Sequence, residues 1–254
     1  MTTRGMPKFS DYCDAYEFIA LRREAGILEV KLHSAGNSLK WNAKIHDELG
    51  YCFSDIANDP ENEVVILTGA GEAFCNEVDW VGMGEFNATT WELTHREGLR
   101  LLQNLLDVQV PVIAAINGPA HVHAEIPLIS NIVVASDTSS FQDGVHFLLG
   151  AVPGDGTHSI WPALLGPTRG SYFLMTGQII GASEALQAGF VHEVVAPVDV
   201  LPRAWELAAQ IAACPRIARR YTRELMTQPL KRLLLENLSH GLALEGLAML
   251  QAQG

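Results

Sequence analysis

The chain is poor in positive charge. Its 254 residues include 17 lysines and arginines against 29 aspartates and glutamates, which gives a formal net charge of −12 at pH 7. Nucleic acids and anionic membrane surfaces would repel such a protein, and the imbalance does not favour a strongly anionic substrate. The composition therefore argues against nucleic acid and membranes as partners.

Cysteine is scarce, and long apolar runs are absent. The four cysteines, at positions 13, 52, 75 and 214, form no CxxC pair. This scatter is typical of reduced thiols rather than of a disulfide framework or a zinc knuckle. No segment has the length and uniformity of a membrane span, and residues 1–16 lack the apolar core of a secretory signal. These absences predict a soluble, cytoplasmic protein.

Short apolar runs alternate with helical patterns along the sequence. Residues 16–32 read as a half-buried hairpin with a turn at 24–26, and further strands are predicted at 63–68, 108–116, 132–135 and 192–195. Helical periodicity begins at about Asn42 and returns at about 91–106 and in short segments between 159 and 188. Three helices, at about 201–213, 215–226 and 230–251, complete the chain. We predict an α/β core over residues 1–198 and a helical C-terminal region over 199–254.

Residues 141–158, FQDGVHFLLGAVPGDGTH, are the first candidate for chemistry. His146 ends an apolar run, and Asp155 follows nine residues later in a turn rich in glycine. If that turn folds back, the carboxylate reaches the imidazole, and a histidine held by an aspartate is a common general base. The alternative is structural: His146 would be a satisfied polar residue, and Asp155 would cap the following helix. These residues alone do not favour either interpretation over the other.

The segment HVHAE contains two histidines, His121 and His123, two positions apart and followed by Glu125. Two histidines on one side of an extended segment are common ligands of first-row metals, so a metal site is one reading. The other is a solvated or capping role for His121, because no further cluster of histidines or carboxylates is evident.

Three motifs then occur in a characteristic order: AFCNEVD after the predicted strand VVILTGAG, next VPVIAAINGPA, and last FQDGVHFLLGAVPGDG. This order resembles the crotonase, or enoyl-CoA hydratase, superfamily, whose members typically have AFxAGxD, NGxAxGGGxE and a carboxylate shortly before LLGxxPGxGG. The resemblance covers most of the chain. It implies a crotonase-like α/β fold, a spiral of ββα turns with a C-terminal helical trimerisation region, assembled as a homotrimer or a dimer of trimers. It implies no metal and no other cofactor.

The departures from the family pattern concern the thioester site. Asn76 and Glu77 replace the expected Ala-Gly, and residues 121–124 replace the glycine run. In the family, backbone N–H groups near these motifs bind the oxygen of an acyl-CoA thioester. Glycines allow close approach of the backbone to a ligand, and bulkier side chains block it. We therefore expect that thioester chemistry is lost.

His146 stands where the family carboxylate is expected, and this change resembles a small branch of the superfamily that cleaves carbon–carbon bonds, 6-oxocamphor hydrolase and related β-diketone hydrolases. That branch uses a His-Asp dyad, a second histidine, a tryptophan and a C-terminal glutamate. The matching residues are His146, Asp155, His123, Trp41 and Glu245.

The resemblance and the chemistry together predict a role for each residue. His146, oriented by Asp155 and mostly neutral near pH 7, would take a proton from water. His123 would be kept neutral by the positive end of the helix that Pro127 helps to begin, and would donate an N–H to a developing oxyanion together with the Trp41 indole. Glu245 would either carry a proton to the enolate carbon or accept a hydrogen bond between subunits.

The sequence therefore predicts a cofactor-independent hydrolase that cleaves a carbon–carbon bond of cyclic or bicyclic β-diketones by a retro-Claisen mechanism. The first alternative is an acyl-CoA hydratase or isomerase of the same family; a metal-dependent hydrolase that uses HVHAE and a non-catalytic trimeric scaffold are the others. The predicted substrate-binding side chains, which could equally fill core, are Trp80, Met83, Phe86 and Phe147.

Overall fold

The computed structural model describes residues 6–251. Within this range the α-helices are α1 Phe9–Tyr12, α2 Ala43–Asn58, α3 Trp80–Met83, α4 Ala88–Asp107, α5 Glu125–Leu128, α6 Thr157–Leu165, α7 Pro167–Thr176, α8 Ala182–Ala188, α9 Val200–Ala212 and α10 Arg216–Gln251. The strands are β1 Ile19–Glu24, β2 Ile27–Leu32, β3 Leu39–Trp41, β4 Val64–Gly69, β5 Cys75–Val78, β6 Val112–Ile116, β7 Ile132–Ser136, β8 Ser140–Phe141, β9 Ile180–Gly181 and β10 Glu193–Val195. Two short 3-10 helices cover Phe147–Leu149 and Pro197–Asp199.

A six-stranded sheet in the order β1-β2-β4-β6-β7-β10 forms the centre of the fold. Strands β1 and β2 are the predicted hairpin, closed by Ala25 and Gly26, both with positive φ. Every other neighbouring pair in this sheet is parallel. Because parallel strands need covered faces, the central strands are near-continuous apolar runs, and β4 and β6 are buried throughout.

A smaller sheet lies beside the main one and supports the loops of the site. It pairs β3 with β5 and β8 with β9, and Ala120 joins the two pairs through bridges to Cys75 and Phe141. The end of β3 and the segments that follow Ala120 and Phe141 therefore come from distant parts of the sequence and lie next to one another.

Helices cover both faces of the main sheet. Helix α2 begins, as predicted, at Asn42, whose side-chain oxygen accepts hydrogen bonds from the backbone N–H groups of Lys44 and Ile45. Its buried face includes the four predicted residues Ile45, Leu49, Phe53 and Ile56. The opposite face of the sheet is covered by α9, whose Val200, Ala204 and Ala208 belong to one buried cluster with Val64, Ile66, Ile113 and Ala115.

The C-terminal region differs from its prediction. The sequence predicts a break between helices at 215–226 and 230–251, but α10 is continuous and contains Pro229. A proline inside a helix costs about 3 kcal/mol because it removes one hydrogen bond and crowds the preceding turn. Buried anchors on both sides, Arg223 before the proline and Leu234 and Leu238 after it, offset this cost. None of the helices between residues 6 and 251 is long and apolar enough to cross a membrane.

Candidate active site

A pocket opens between the small sheet, α3, α4 and α10. Apolar side chains form most of its wall. Five titratable side chains also line it, namely His46, His123, His146, Asp155 and Glu245. The lining residues are Trp41, His46, Val78, Trp80, Met83, Phe86, Trp91, Thr94, Val122, His123, Val145, His146, Ala151, Asp155, Leu242, Glu245 and Met249. All five residues predicted to carry the chemistry are therefore brought together.

His146 is held by Asp143. The His146 Nδ1 atom lies 2.6 Å from Asp143 Oδ1, and both side chains are buried. Its other ring nitrogen, Nε2, lies 3.5 Å from Asp155 Oδ2 and 3.5 Å from Glu245 Oε1. The carboxylate on Nδ1 therefore comes from Asp143, three residues before the histidine, whereas Asp155, which the sequence predicted to orient this ring, lies on the Nε2 side.

The surroundings of His146 favour its protonated form. Burial alone would lower the pKa of the imidazole, but the charge of Asp155 and the contacts with Asp143 and Glu245 outweigh burial and raise this pKa well above its ordinary value. The sequence predicted a mostly neutral base, whereas the carboxyl groups around the ring favour the imidazolium.

Asp155 lies between the two imidazoles. Its Oδ1 accepts hydrogen bonds from the Thr157 hydroxyl at 3.0 Å and backbone N–H at 3.3 Å, so it also serves the capping role that the sequence allowed. Its Oδ2 is 3.1 Å from His123 Nδ1, although no described residue donates to it with good geometry. Burial alone would raise the pKa of Asp155, but the charges of His146 and His123 outweigh burial and lower this pKa to about 2. Asp155 is therefore a carboxylate at every physiological pH.

His123 has a strained backbone and a dedicated acid. Its φ of 52° lies in the left-handed region that favours glycine, which agrees with its place in the glycine run of the family motif. Its Nδ1 lies 2.8 Å from Glu125 Oε1, and its ring stacks on Trp41 with 3.8 Å between centroids. Burial alone would lower its pKa, but the charges of Glu125 and Asp155 outweigh burial and raise it. The carboxylates, rather than the end of the four-residue helix α5, therefore determine the direction of this shift.

Glu245 reaches the pocket because α10 approaches the loop before Asp155 very closely. A Cβ on Gly154 would lie 2.1 Å from the carbonyl oxygen of Gly241, so a side chain at position 154 would push α10 away. Glu245 is 8% exposed, and burial raises its pKa to about 7. A carboxyl group with this pKa can both take up and release a proton at neutral pH, and it lies beside the imidazole of His146.

Three of the four predicted substrate-binding side chains line the pocket. These are Trp80, Met83 and Phe86, whereas Phe147 is not part of the lining. Phe147 begins the short 3-10 helix after His146 and is 46% exposed.

Three residues of the site have no role in the reaction predicted from the sequence. Asp143 and Glu125 each hold a histidine, and His46, treated as structural, lines the pocket with its Nδ1 3.1 Å from Glu97. A signal existed for the first two, since an acid stands three residues before His146 and two residues after His123. No sequence signal relates His46 to Glu97, 51 positions away on another helix.

The segment HVHAE does not form a two-histidine chelate. The His121 Nε2 atom bonds the Ser140 hydroxyl at 2.8 Å, outside the pocket lining. Two overlapping groups could each surround a metal ion, His123 with Glu125 and Asp155, and His146 with Asp155 and Glu245. Each pairs carboxylates with an imidazole whose pKa they raise, which is the pattern of a proton-transfer site.

Two backbone donors at the second motif are already used. The N–H groups of His121 and Val122 both donate to the carbonyl oxygen of Cys75, at 2.8 and 3.1 Å. Neither is available to a ligand oxygen. The side chains of Trp41, His123 and His146 in the pocket lining are further candidate donors.

Known proteins resemble this chain in both sequence and fold. The enoyl-CoA hydratase/isomerase family model matches residues 22–245. A carnitinyl-CoA dehydratase of Shigella flexneri is 34% identical over 198 residues, which are 77% of this chain and 74% of that protein. One of Proteus mirabilis is 37% identical over 173 residues, 67% of this chain and 66% of that protein.

Solved structures extend the likeness to nearly the whole chain. A β-diketone hydrolase from the cyanobacterium Anabaena sp. PCC 7120, bound to (S)-3-oxocyclohexyl acetic acid, is 44% identical, with a TM-score of 0.94 over 96% of this chain and 98% of that one. An enoyl-CoA hydratase/isomerase from Mycobacterium paratuberculosis is 25% identical, with a TM-score of 0.85 over 92% and 94%. The crotonase-like α/β fold predicted from the motifs is thereby confirmed, and the chain belongs to the enoyl-CoA hydratase/isomerase family of the crotonase superfamily.

Proposed function

We propose that this protein is a cofactor-independent hydrolase that cleaves a carbon–carbon bond of a cyclic or bicyclic β-diketone by a retro-Claisen reaction. The observation that carries the proposal is the pair of imidazoles, the partly buried His123 and the buried His146, which share Asp155 in the lining of a largely apolar pocket. Such a pair supplies a base for water and a donor for an oxyanion in one site.

Water activation is assigned to His146. In its neutral form, with Nδ1–H donated to Asp143, the Nε2 lone pair faces the pocket beside Asp155 and Glu245. A water held at Nε2 loses a proton to the ring as its oxygen attacks one carbonyl carbon of the diketone. A general base in this position contributes about 10²–10⁴-fold to the rate. The three carboxylates around the ring stabilise the imidazolium that forms.

Stabilisation of the oxyanion is assigned to His123 and Trp41. Because carboxylates occupy the Nδ1 side of His123, its remaining nitrogen donates a hydrogen only when the ring is cationic, and its raised pKa favours that form. The Trp41 indole N–H donates to no described residue, and Trp41 stacks on the same ring. One donor aimed at an oxyanion is worth about 2.7–4 kcal/mol.

Cleavage and protonation complete the reaction. The tetrahedral intermediate collapses to a carboxylic acid, the bond to the central carbon breaks, and the second ketone leaves as an enolate. The proton taken from water by His146 passes to the enolate carbon, either directly or through Glu245, whose pKa of about 7 suits both uptake and release. The overall reaction adds one water and yields a keto acid.

We infer the substrate class from the apolar wall of the pocket and from one similar solved structure. The structure of the Anabaena hydrolase holds a keto acid, 3-oxocyclohexyl acetic acid, at 44% identity to this chain. Joining the carboxyl carbon of this acid to the ring carbon on the far side of its ketone gives a bicyclic 1,3-diketone. The carbon between its carbonyl groups is then a bridgehead, which cannot form an enolate before cleavage.

The proposal is tested with that bicyclic diketone. Wild-type protein should convert it to 3-oxocyclohexyl acetic acid and place one labelled oxygen from heavy-oxygen water in the carboxyl group. His146→Ala should lose most of kcat while it keeps the wild-type melting temperature within a few degrees. Turnover of short enoyl-CoA or carnitinyl-CoA esters without any diketone cleavage would overturn the proposal.

An acyl-CoA hydratase or dehydratase remains the second candidate, because the sequence relatives bear the name carnitinyl-CoA dehydratase. Three observations favour the diketone over the thioester. The backbone N–H groups of His121 and Val122 are bonded to Cys75, and an imidazole replaces the family carboxylate at position 146. Among the residues that the structure describes, the pocket lining also includes no lysine or arginine.

We also propose assembly as a homotrimer or a dimer of trimers. Leucines on the outer side of α10 support this, since Leu235, Leu244 and Leu247 are exposed although they lie on the helix that carries Glu245. Analytical ultracentrifugation distinguishes the states, and a monomer at micromolar concentration would contradict the proposal.

A further inference from the structure

Asp143 is a buried acid whose closest partner is the imidazole of His146. Its side chain is 2% exposed, and its Oδ1 lies 2.6 Å from His146 Nδ1, the shortest contact of either imidazole with a carboxylate. Its second oxygen, Oδ2, is buried and accepts no hydrogen bond from the part of the chain that is described. Burying a carboxylate costs free energy unless a charged partner compensates it, and here the partner is the imidazole.

The backbone on either side of Asp143 is fixed. The N–H of Gln142 donates to the Ala120 carbonyl at 3.2 Å, and the N–H of Gly144 donates to the His121 carbonyl at 2.9 Å. Strand β8, which ends one residue before Gln142, also pairs with β9. The carboxylate therefore stands on a rigid support, as a group that orients a catalytic ring must.

Asp155 lacks these properties toward His146. It approaches Nε2, at 3.5 Å, and its Oδ1 is bound to Thr157. Its Oδ2 is closer to His123, at 3.1 Å. A residue on the Nε2 side cannot set the tautomer that leaves Nε2 unprotonated, because it favours a proton on that nitrogen.

We propose that Asp143, rather than Asp155, is the positioning residue that fixes the orientation of His146 and the tautomer with hydrogen on Nδ1. Asp155 then acts on the other side, as a shared counter-ion between His146 and His123. Part of this inference rests on the proposed function, since the tautomer matters for catalysis only if His146 Nε2 is the base. The assignment of Asp143 as the hydrogen-bond partner of His146 Nδ1 does not depend on the proposed function.

The charged groups around His146 make the pH profile informative but not decisive. Its ring faces Asp143 on one nitrogen and Asp155 and Glu245 on the other, and His123 lies beyond Asp155. Removing either aspartate charge lowers the pKa of the ring, so the acidic limb of kcat/KM moves to lower pH in both variants. A readout of the Nδ1–H itself must separate them.

The experiment combines nuclear magnetic resonance of histidine-labelled protein with kinetics. Wild type should show a far-downfield Nδ1–H resonance, assigned to His146 by its absence in His146→Ala. Asp143→Asn and Asp143→Ala should lose this signal or move it strongly upfield, whereas Asp155→Asn should keep it. Asp137→Asn makes the same chemical change on the surface and should match wild type in every measurement.

Kinetics with the bicyclic diketone supply the second arm. Asp143→Asn should lower kcat about 10³- to 10⁴-fold with a much smaller change in KM, the size expected when a catalytic histidine loses its orienting acid. Survival of the resonance in both Asp143 variants, together with its loss in Asp155→Asn, would overturn the inference. If wild type cleaves no diketone but the resonance still depends on Asp143, the proposed function fails and the assignment of Asp143 stands.

Discussion

Replacement of Glu245 by glutamine should make the protein more stable, and by an amount that grows with pH. The carboxyl group is almost fully buried, and burial raises its pKa from an ordinary value of 4.5 to about 7. Between these two values the folded state holds a proton that the unfolded state has released, so wild-type stability falls as pH rises through this window. Glutamine does not ionise and is free of this penalty.

The magnitude follows from the two pKa values. Linkage gives a penalty of about 1 kcal/mol at pH 5.5 and about 3 kcal/mol at pH 8.5, where the shift is fully expressed. The hydrogen bonding of the new amide adds a cost that does not depend on pH, and that cost cancels when the two pH values are compared. The predicted quantity is therefore a gain for Glu245→Gln that is about 2 kcal/mol larger at pH 8.5 than at pH 5.5.

Urea unfolding at both pH values measures this difference, at one fixed protein concentration because any assembly contributes to stability. His146→Ala provides a matched background: without the imidazole Glu245 loses its nearest cation, so the pH-dependent gain from glutamine should increase. A gain that is equal at both pH values would show that Glu245 ionises normally, and it would refute the inference that burial raises the pKa of this carboxyl group. In the same variant diketone turnover should fall, since a proton carrier is lost.

The remaining predictions concern protonation, strain and buried charge. The acidic limb of kcat/KM should lie above pH 6.5, because carboxylates raise the pKa of His146 and the base acts only when neutral; a plateau already reached at pH 6 would contradict this. The free energy of unfolding should be about 1 kcal/mol larger for His123→Gly than for His123→Ala, with a higher melting temperature, because glycine adopts a φ of 52° without strain. Both variants should be inactive, and equal melting temperatures would contradict the claim of strain. His121→Ala should turn over diketone at close to the wild-type rate in the assay that His123→Ala fails, because His121 bonds Ser140 away from the pocket. Arg223→Met should lose about 2–4 kcal/mol in denaturant unfolding, because the buried guanidinium donates to the carbonyls of Val108 and Leu105 and to Asn131, while activity at low temperature persists.

Local signals in the sequence determined most of the secondary structure. The hairpin at residues 16–32 and the strand of residues 63–68 follow from apolar periodicity, and the start of α2 follows from the capping side chain of Asn42. Pro229 is the exception: local propensity predicts a break there, and packing on both sides of it prevails.

The sequence by itself also determined which residues meet in the pocket, because a family resemblance carries information about distant contacts that periodicity does not. Trp41, His123, His146, Asp155 and Glu245 all line one cavity. Only the tertiary structure decided which carboxylate serves which nitrogen. Asp143 rather than Asp155 holds Nδ1 of His146, and Glu125 holds His123. The physical reason is that hydrogen bonding and pKa depend on differences of a few tenths of an ångström and on burial from all sides. Spacing along the chain fixes neither, and only the tertiary structure places four buried carboxyl groups around the two imidazoles, where they raise the pKa of each ring.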